Sequence, residues 1–322
     1  MRNCKGSVSA DFARELHSMT MMASSPSPAP PVSVAAPPAP HLEATVLRAR
    51  RGWVSVDFRE LWRYRELLWF LALRDIQLRY KQTALGAAWA IIQPVFTMLV
   101  FTIFFGKLGG MSKAGTYPPY YLVVFCALLP WQLFANSLLQ SGNSLVANER
   151  LITKVYFPRL LMPLSSVISG VLDFGIALVI LLGMMMFSHV HPGWAILTLP
   201  LFVLMAILAA LSVGLWLSAM NVQYRDVRYA IPFLTQIWMF LSPVAYQIGL
   251  LNKIPAKWRT LCEILYGLNP MAGVIQGFNW ALLNDPHTPG LMMLISMAAT
   301  LLLLVGGLYY FRRMEKTFAD FV

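Results

Sequence analysis

Apolar residues in this chain come in long unbroken runs, and charged residues gather in the short segments between them. Six stretches approach the ~20 residues that cross a bilayer core. They are Ala87–Phe105, Tyr120–Gln140, Leu160–Phe187, Ala195–Met220, Tyr229–Gln247 and Leu291–Phe311. The third is long enough to tilt or to extend beyond the lipid. Before the first, from about Val56 to Lys81, the pattern turns helical. Phe58, Trp62, Trp69, Ile76 and Tyr80 recur at spacings of four and seven, and Arg59, Arg63, Glu66, Gln77 and Lys81 gather opposite them. Arg65 breaks the stripe. Trp and Leu on one side with Arg on the other suit a helix lying in the plane of a membrane surface; an amphipathic helix packed on protein gives the same pattern.

The predicted fold class is therefore an all-α integral membrane protein. It has six transmembrane helices, an amphipathic interface helix before them and re-entrant helices between the fifth and sixth. The re-entrant expectation concerns Gly249 to Gly290, too long for a turn and rich in Trp258, Leu261, Ile264, Val274, Phe278 and Trp280, with Asn269-Pro270 breaking it midway. Such backbone is tolerated at membrane depth where protein or a cavity covers it. An extracytoplasmic cap fits equally well. Three domains follow: a leader over residues 1–50, the interface helix over 51–82 and the six-span unit over 83–322. The leader holds the run Ser24 to Pro40, whose prolines favour extended, solvated chain. Asp11, Arg14 and Glu15 stand where a signal peptide would need an apolar core.

Composition agrees. The chain is 58% hydrophobic and only 12% charged, against roughly 25% charged in an average soluble domain. The net charge of +11 sits beside apolar spans, where cytoplasmic flanks collect Lys and Arg, so no nucleic-acid partner is expected. One set of flanks holds Arg48 to Lys81, then Arg150, Lys154 and Arg159, Arg225 and Arg228, and Arg312, Arg313 and Lys316. The other holds only Lys107, Lys113, Lys253, Lys257 and Arg259. The imbalance places both termini in the cytoplasm.

The chain lacks a G-x-x-x-x-G-K-[ST] phosphate loop, His/Cys/Asp/Glu metal spacing and a Ser-His-acid arrangement. No catalytic residue, metal or cofactor is expected in it. Within the six spans the one acidic residue is Asp173, either functional or hydrogen-bonded to Ser or Asn of a neighbouring span. Gln132, Asn136, Gln140 and Asn143 share a helical face of the second span, beside a second row of Ser137, Ser141 and Ser144. They bond between helices or line a polar conduit, to which Gln93 and Thr97 of the first span would add. Phe96, Phe104, Phe134 and Tyr246 are packing aromatics or flat faces for sugar rings. In the second cytoplasmic connection, Asn148 to Pro163, Leu151, Ile152, Val155, Tyr156 and Phe157 stand among Glu149, Arg150, Lys154 and Arg159, the pattern of a short docking helix. Tyr224, Arg225 and Asp226 lie in a shorter connection on the same face.

Arg74-Asp75, Arg79-Tyr80-Lys81-Gln82-Thr83, Leu85-Gly86, Trp89 and Pro94, followed by Lys154 to Arg159, Asn221 to Arg228, Pro243 and Leu268-Asn269-Pro270, occur here in one order. In this order the chain from Phe58 onward resembles the membrane subunits of ABC-type polysaccharide exporters, the O-antigen, capsule and teichoic-acid export permeases. The resemblance implies two copies of the chain, in the cell inner membrane, with two copies of a separate ABC ATPase that binds ATP and Mg. It implies a lipid-linked polysaccharide moving outward and membrane lipid around the subunit. It makes Asn148 to Arg159 a coupling helix, with Trp62, Trp69, Arg74, Arg79, Tyr80 and Lys81 on a surface helix near the motor. It places Gln93, Phe96, Thr97, Phe104, Gln132, Phe134, Asn136, Gln140, Asp173 and Tyr246 as pathway candidates. Alternatives are a permease of the same superfamily moving lipid or drug, an ion-coupled carrier and a membrane-embedded glycosyltransferase.

Overall fold

A computed structural model describes residues 58–81, 88–111, 118–244, 255–285, 288, 290–315 and 318. The 1–50 leader, residues 82–87 of the signature and Tyr246 lie outside the described residues. Every regular element among the described residues is helical. Two helices precede the first span, α1 (Phe58–Arg63) and α2 (Arg65–Lys81). The first span is α3 (Ala88–Phe101), which passes Pro94 and continues as a π-helical stretch over Thr102–Leu108. Then come α4 (Tyr120–Ala147), the short α5 (Glu149–Lys154), α6 (Leu161–Phe187) and α7 (Leu199–Gln223). They are followed by α8 (Val227–Leu241), α9 (Ala256–Gly267), α10 (Pro270–Leu283) and α11 (Leu291–Met314).

Among the described residues five helices are long and apolar enough to cross a membrane: Ala88–Leu108, Tyr120–Ala147, Leu161–Phe187, Trp194–Gln223 and Leu291–Met314. The expected fifth stretch, Tyr229–Gln247, differs. Its helix α8 has 15 residues and stops at Leu241. Ser242 precedes Pro243, and the residue before a proline is pushed out of helical geometry; Ser242 is extended, and its hydroxyl folds back onto the Trp238 carbonyl at 2.9 Å.

The centre of the bundle is α4, because its small residues let other helices approach. Between helices in lipid, water supplies no apolar driving force, so close packing decides the crossing points. A Cβ on Gly214 of α7 would stand 2.1 Å from Ser141 Oγ, and one on Gly170 of α6 would stand 2.7 Å from Ser137 Oγ. The Ser137, Ser141 and Ser144 row is thus a packing seam, buried against α6 and α7. Ser141 and Ser144 donate to carbonyls three residues back on α4. On the far side of α7, Trp216 stacks on Tyr310 of α11 at 4.9 Å and donates Nε1 to the Leu303 carbonyl at 3.1 Å.

Asn269-Pro270 joins α9 and α10 into a hairpin. Asn269 Oδ1 accepts from the Met271 amide at 3.0 Å as the helix N-cap, and Pro270 fills the first helical position, where no donor is missed. The same side chain accepts from Trp238 Nε1 at 3.0 Å and donates to Ser242 Oγ at 2.9 Å, tying the hairpin to the end of α8. At its other end Asn284, in left-handed geometry, donates to the His191 carbonyl at 2.8 Å and accepts from the Gly193 amide at 3.0 Å. The buried helix α10 therefore runs from the α8 terminus to the loop joining α6 and α7, and α9, with Trp258 and Leu265 exposed, packs mainly on α11, Gly267 lying against Ile295.

Three connections meet at one end of the bundle. Arg159 donates through its backbone N–H and its guanidinium to Glu315, and Asn221 donates to the Gly142 carbonyl at 2.9 Å. Arg150, Lys154, Arg159, Arg225, Arg228, Arg312 and Arg313 collect there. A second core of Leu71, Leu145, Ile152, Phe157, Leu161, Leu215 and Phe311 holds this basic end together.

Candidate functional site

The helix α2 does not lie free of the bundle. It runs beside the first half of α6, in the same direction. Ser165 Oγ reaches Asp75 at 3.5 Å, and one turn further along α2, Arg79 reaches Ser169 Oγ at 3.4 Å and pairs with Asp173. Arg79 also donates to Gln140 Oε1, and Tyr80 Oη donates to the second Asp173 oxygen. The carboxylate is thus satisfied on both oxygens. Its expected partner was Ser or Asn of a neighbouring span; the observed one is the helix preceding the first span. Arg79 is accordingly no plain surface anchor. Arg74 bonds Asp75 at 2.9 Å and Asn148, at the foot of α4, at 2.7 Å. Burial, the bond to Asp173 and that residue's negative charge push the Tyr80 phenol up to about 12, against the counter-pull of Arg79.

The expected stripe on α1 and α2 is split. Trp62, 71% exposed, and Trp69 share an outward side, whereas Leu71 and Ala72 are buried and Tyr80 turns to Asp173. Lys81 is exposed. Two periodicities overlap on one helix, one facing protein and one facing outward, so a single stripe could not describe it.

Above the Arg79–Asp173 pair lies a cavity of about 320 Å³ between α2, α3, α4 and α6. Gln93 of α3 and Gln132, Asn136 and Gln140 of α4 line it, together with the aromatic side chains of Trp89 and Phe174. The amide row predicted from spacing thus reaches one space, except for Asn143, which bonds the Leu139 carbonyl and Asn221. Gln93, Gln132 and Asn136 make no side-chain hydrogen bond to any described residue. Other pathway candidates lie elsewhere. Phe96 (66% exposed) and Phe104 face outward from α3, and Thr97 spends its hydroxyl on the Gln93 carbonyl at 2.8 Å. Phe134 is fully buried, edge-on to Trp238 at 5.1 Å.

At the basic end the docking helix is shorter than expected. It stops at Lys154, and Val155 is already extended; Pro158 disfavours helix in the residue before it. Phe157, read as part of the docking surface, is 6% exposed and belongs with Ile152 to the basic-end core. Arg159 is drawn to Glu315 and lies over the Phe318 ring at 5.8 Å. Leu151 is half-buried. The outward surface is Glu149, Arg150, Lys154, Val155 and Tyr156, the last 71% exposed, with exposed Tyr224, Arg225 and Asp226 at the same end. A groove of about 540 Å³ beside α5 is lined by Arg74, Asn148, Glu149, Lys154 and Val155. Glu315, which locks this end, escaped sequence reasoning, and Asn148 and Asn221 stand there only as the first residues of the two connections, because each lies at or near an element end where periodicity stops.

A multi-pass helical bundle with a polar cavity and an exposed basic end fits a membrane transport protein. The chain belongs to the ABC-2 type transporter family, whose family model matches residues 66–283. That membership implies an ABC ATPase partner. The chain is 29% identical over 260 residues to the O-antigen export system permease protein RfbA of Myxococcus xanthus, covering 80% of this chain and 96% of that one. Two proteins of the same description from Klebsiella pneumoniae are each 26% identical over 260 residues, covering 79% of this chain and 94% of theirs.

Proposed function

We propose that this chain is the permease subunit of an ATP-driven exporter that moves a lipid-linked polysaccharide outward across the inner membrane. The observation that carries this is the match to O-antigen export permeases along nearly their whole length. Two copies of the chain form the pathway, and two copies of a separate ATPase, binding ATP and Mg, drive it. Helix α8 is the fifth of six spans. Helices α1 and α2 lie at the cytoplasmic interface, with Trp62 and Trp69 toward lipid. The α9–α10 hairpin re-enters from the outer side, and both termini are cytoplasmic because the basic end faces inward. The ATPase seats on α5 through Glu149, Arg150, Lys154, Val155 and Tyr156, with Tyr224 to Asp226 beside them. Pairing of Asp173 with Arg79 favours a fixed charge over the exchangeable one an ion-coupled carrier needs.

Deletion of the gene in its host tests this reading. Loss of surface polysaccharide, restored by the intact gene, is the expected outcome. Unchanged polysaccharide with altered drug sensitivity would establish a different cargo.

A further inference from the structure

The cavity above the Arg79–Asp173 pair has a charge pattern that the export reading leaves unused. Among its described lining residues Arg79 is the one cation and Asp173 the one anion, and they are paired with each other. An anionic headgroup entering here meets no unpaired cation among the described lining residues. Gln93, Gln132 and Asn136 have a different chemistry. Each amide offers two donors and a carbonyl acceptor, and none is used by a described residue. A phosphate, which only accepts, can take the amide N–H donors but leaves the three carbonyl oxygens without a donor. A ligand carrying hydroxyls donates and accepts at once and satisfies both halves of each amide. Trp89 and Phe174 add aromatic side chains to the lining, which suit a ring with C–H faces and hydroxyl edges. At about 320 Å³ the space is at the small end of ligand pockets, which run from roughly 300 to 1,000 Å³. It accommodates one ring better than a length of chain.

We propose that this cavity is a subsite for a single uncharged sugar unit, and that it rejects the anionic lipid-phosphate end of the same cargo. The proposal rests on the reading that the cargo is a lipid-linked polysaccharide. Its selectivity resides in the cancellation of Arg79 by Asp173, and its affinity in the three open amides.

The test places a photo-crosslinking amino acid at Gln132, at Asn136 and, as a control outside the cavity lining, at exposed Leu201 of α7. The full chain is expressed with its ATPase in a strain that makes the polysaccharide. Adducts formed on irradiation are treated with mild acid, which cleaves the glycosyl-phosphate bond. Adducts at 132 and 136 are expected to keep glycan and release lipid, and the control to give no glycan adduct. An adduct that keeps lipid and sheds glycan overturns the proposal, as does the absence of adduct in a strain that still exports. A second measurement needs no substitution: hydrogen exchange of the unaltered protein with methyl glucoside or inorganic pyrophosphate. Slowing in the Gln132–Gln140 segment by the sugar alone is expected; slowing by pyrophosphate, or by neither, counts against the subsite. Normal surface polysaccharide after gene deletion would remove the export reading itself, whereas a missing adduct in an exporting strain removes only the subsite.

Discussion

A single carboxylate organises the polar chemistry of this membrane domain, because Asp173 is part-buried on a spanning helix and its partners come from a different element. Removing one member of such a pair leaves the other charge uncompensated, which is worse than removing both. Side chains here are 28% and 19% exposed, so part of the penalty is screened. Asp173→Asn should cost about 1–3 kcal/mol, and adding Arg79→Gln should recover most of it. Thermal unfolding of the purified chain in detergent reads both; a single variant as stable as the parent would show the pair is idle. Tyr80 adds a pH signature. Its folded pKa of about 12 exceeds the unfolded value of about 10. Its contribution is therefore complete below about pH 10 and disappears as pH rises through about 12. The stability gap between the parent and Tyr80→Phe should be constant from neutral pH to about 10 and close above it. A gap that widens with alkalinity would contradict the assigned donor.

Helices here meet through residues too small to notice in a hydropathy pattern, and the docking element shows the reverse, an apolar cluster divided between core and surface. Gly214→Ala should destabilise by about 1–3 kcal/mol through overpacking against Ser141. Because the clash is with the hydroxyl oxygen, Ser141→Ala should restore much of the loss in the same unfolding assay. At α5, Phe157→Asp would place a charge in the basic-end core, so it should prevent accumulation of folded protein. Tyr156→Asp, on the exposed surface, should accumulate normally and lose co-purification with the ATPase. Equal behaviour of the two variants would mean the boundary between core and docking surface is drawn wrongly. The charge pattern predicts a short helix in this connection, and α5 lies there. The division was not legible because Asn148 to Arg159 reads as one helix in the sequence, whereas extended Val155 and Pro158 reorient every side chain after Lys154.

Across the whole molecule, long apolar runs were legible because membrane thickness sets helix length, and the amide row was legible because helical period puts Gln132, Asn136 and Gln140 on one face. Asp173's partner was not, since no local pattern links residue 79 to residue 173. The fifth span was blurred because hydropathy ignores the proline that ends α8. Those two elements also explain where a second copy fits. Helix α3 presents Phe96, Ile103 and Phe104 outward, and α8 presents Tyr229, Phe233, Phe240 and Leu241. By contrast α4 between them is largely buried within one chain. The cavity opens among α2, α3, α4 and α6, and Gln93 on α3 is exposed beside it. A pathway formed by two copies would therefore place α3 and α8 against their counterparts. Single cysteines at Phe96 and Phe240, in a variant lacking Cys4, Cys126 and Cys262, are then expected to join two chains on oxidation, giving a product of twice 36.1 kDa. A cysteine at Leu302 on the outward side of α11 should stay monomeric. If Leu302 joins chains as readily as Phe96 and Phe240, the copies do not meet through α3 and α8, and those aromatic faces are turned to lipid instead.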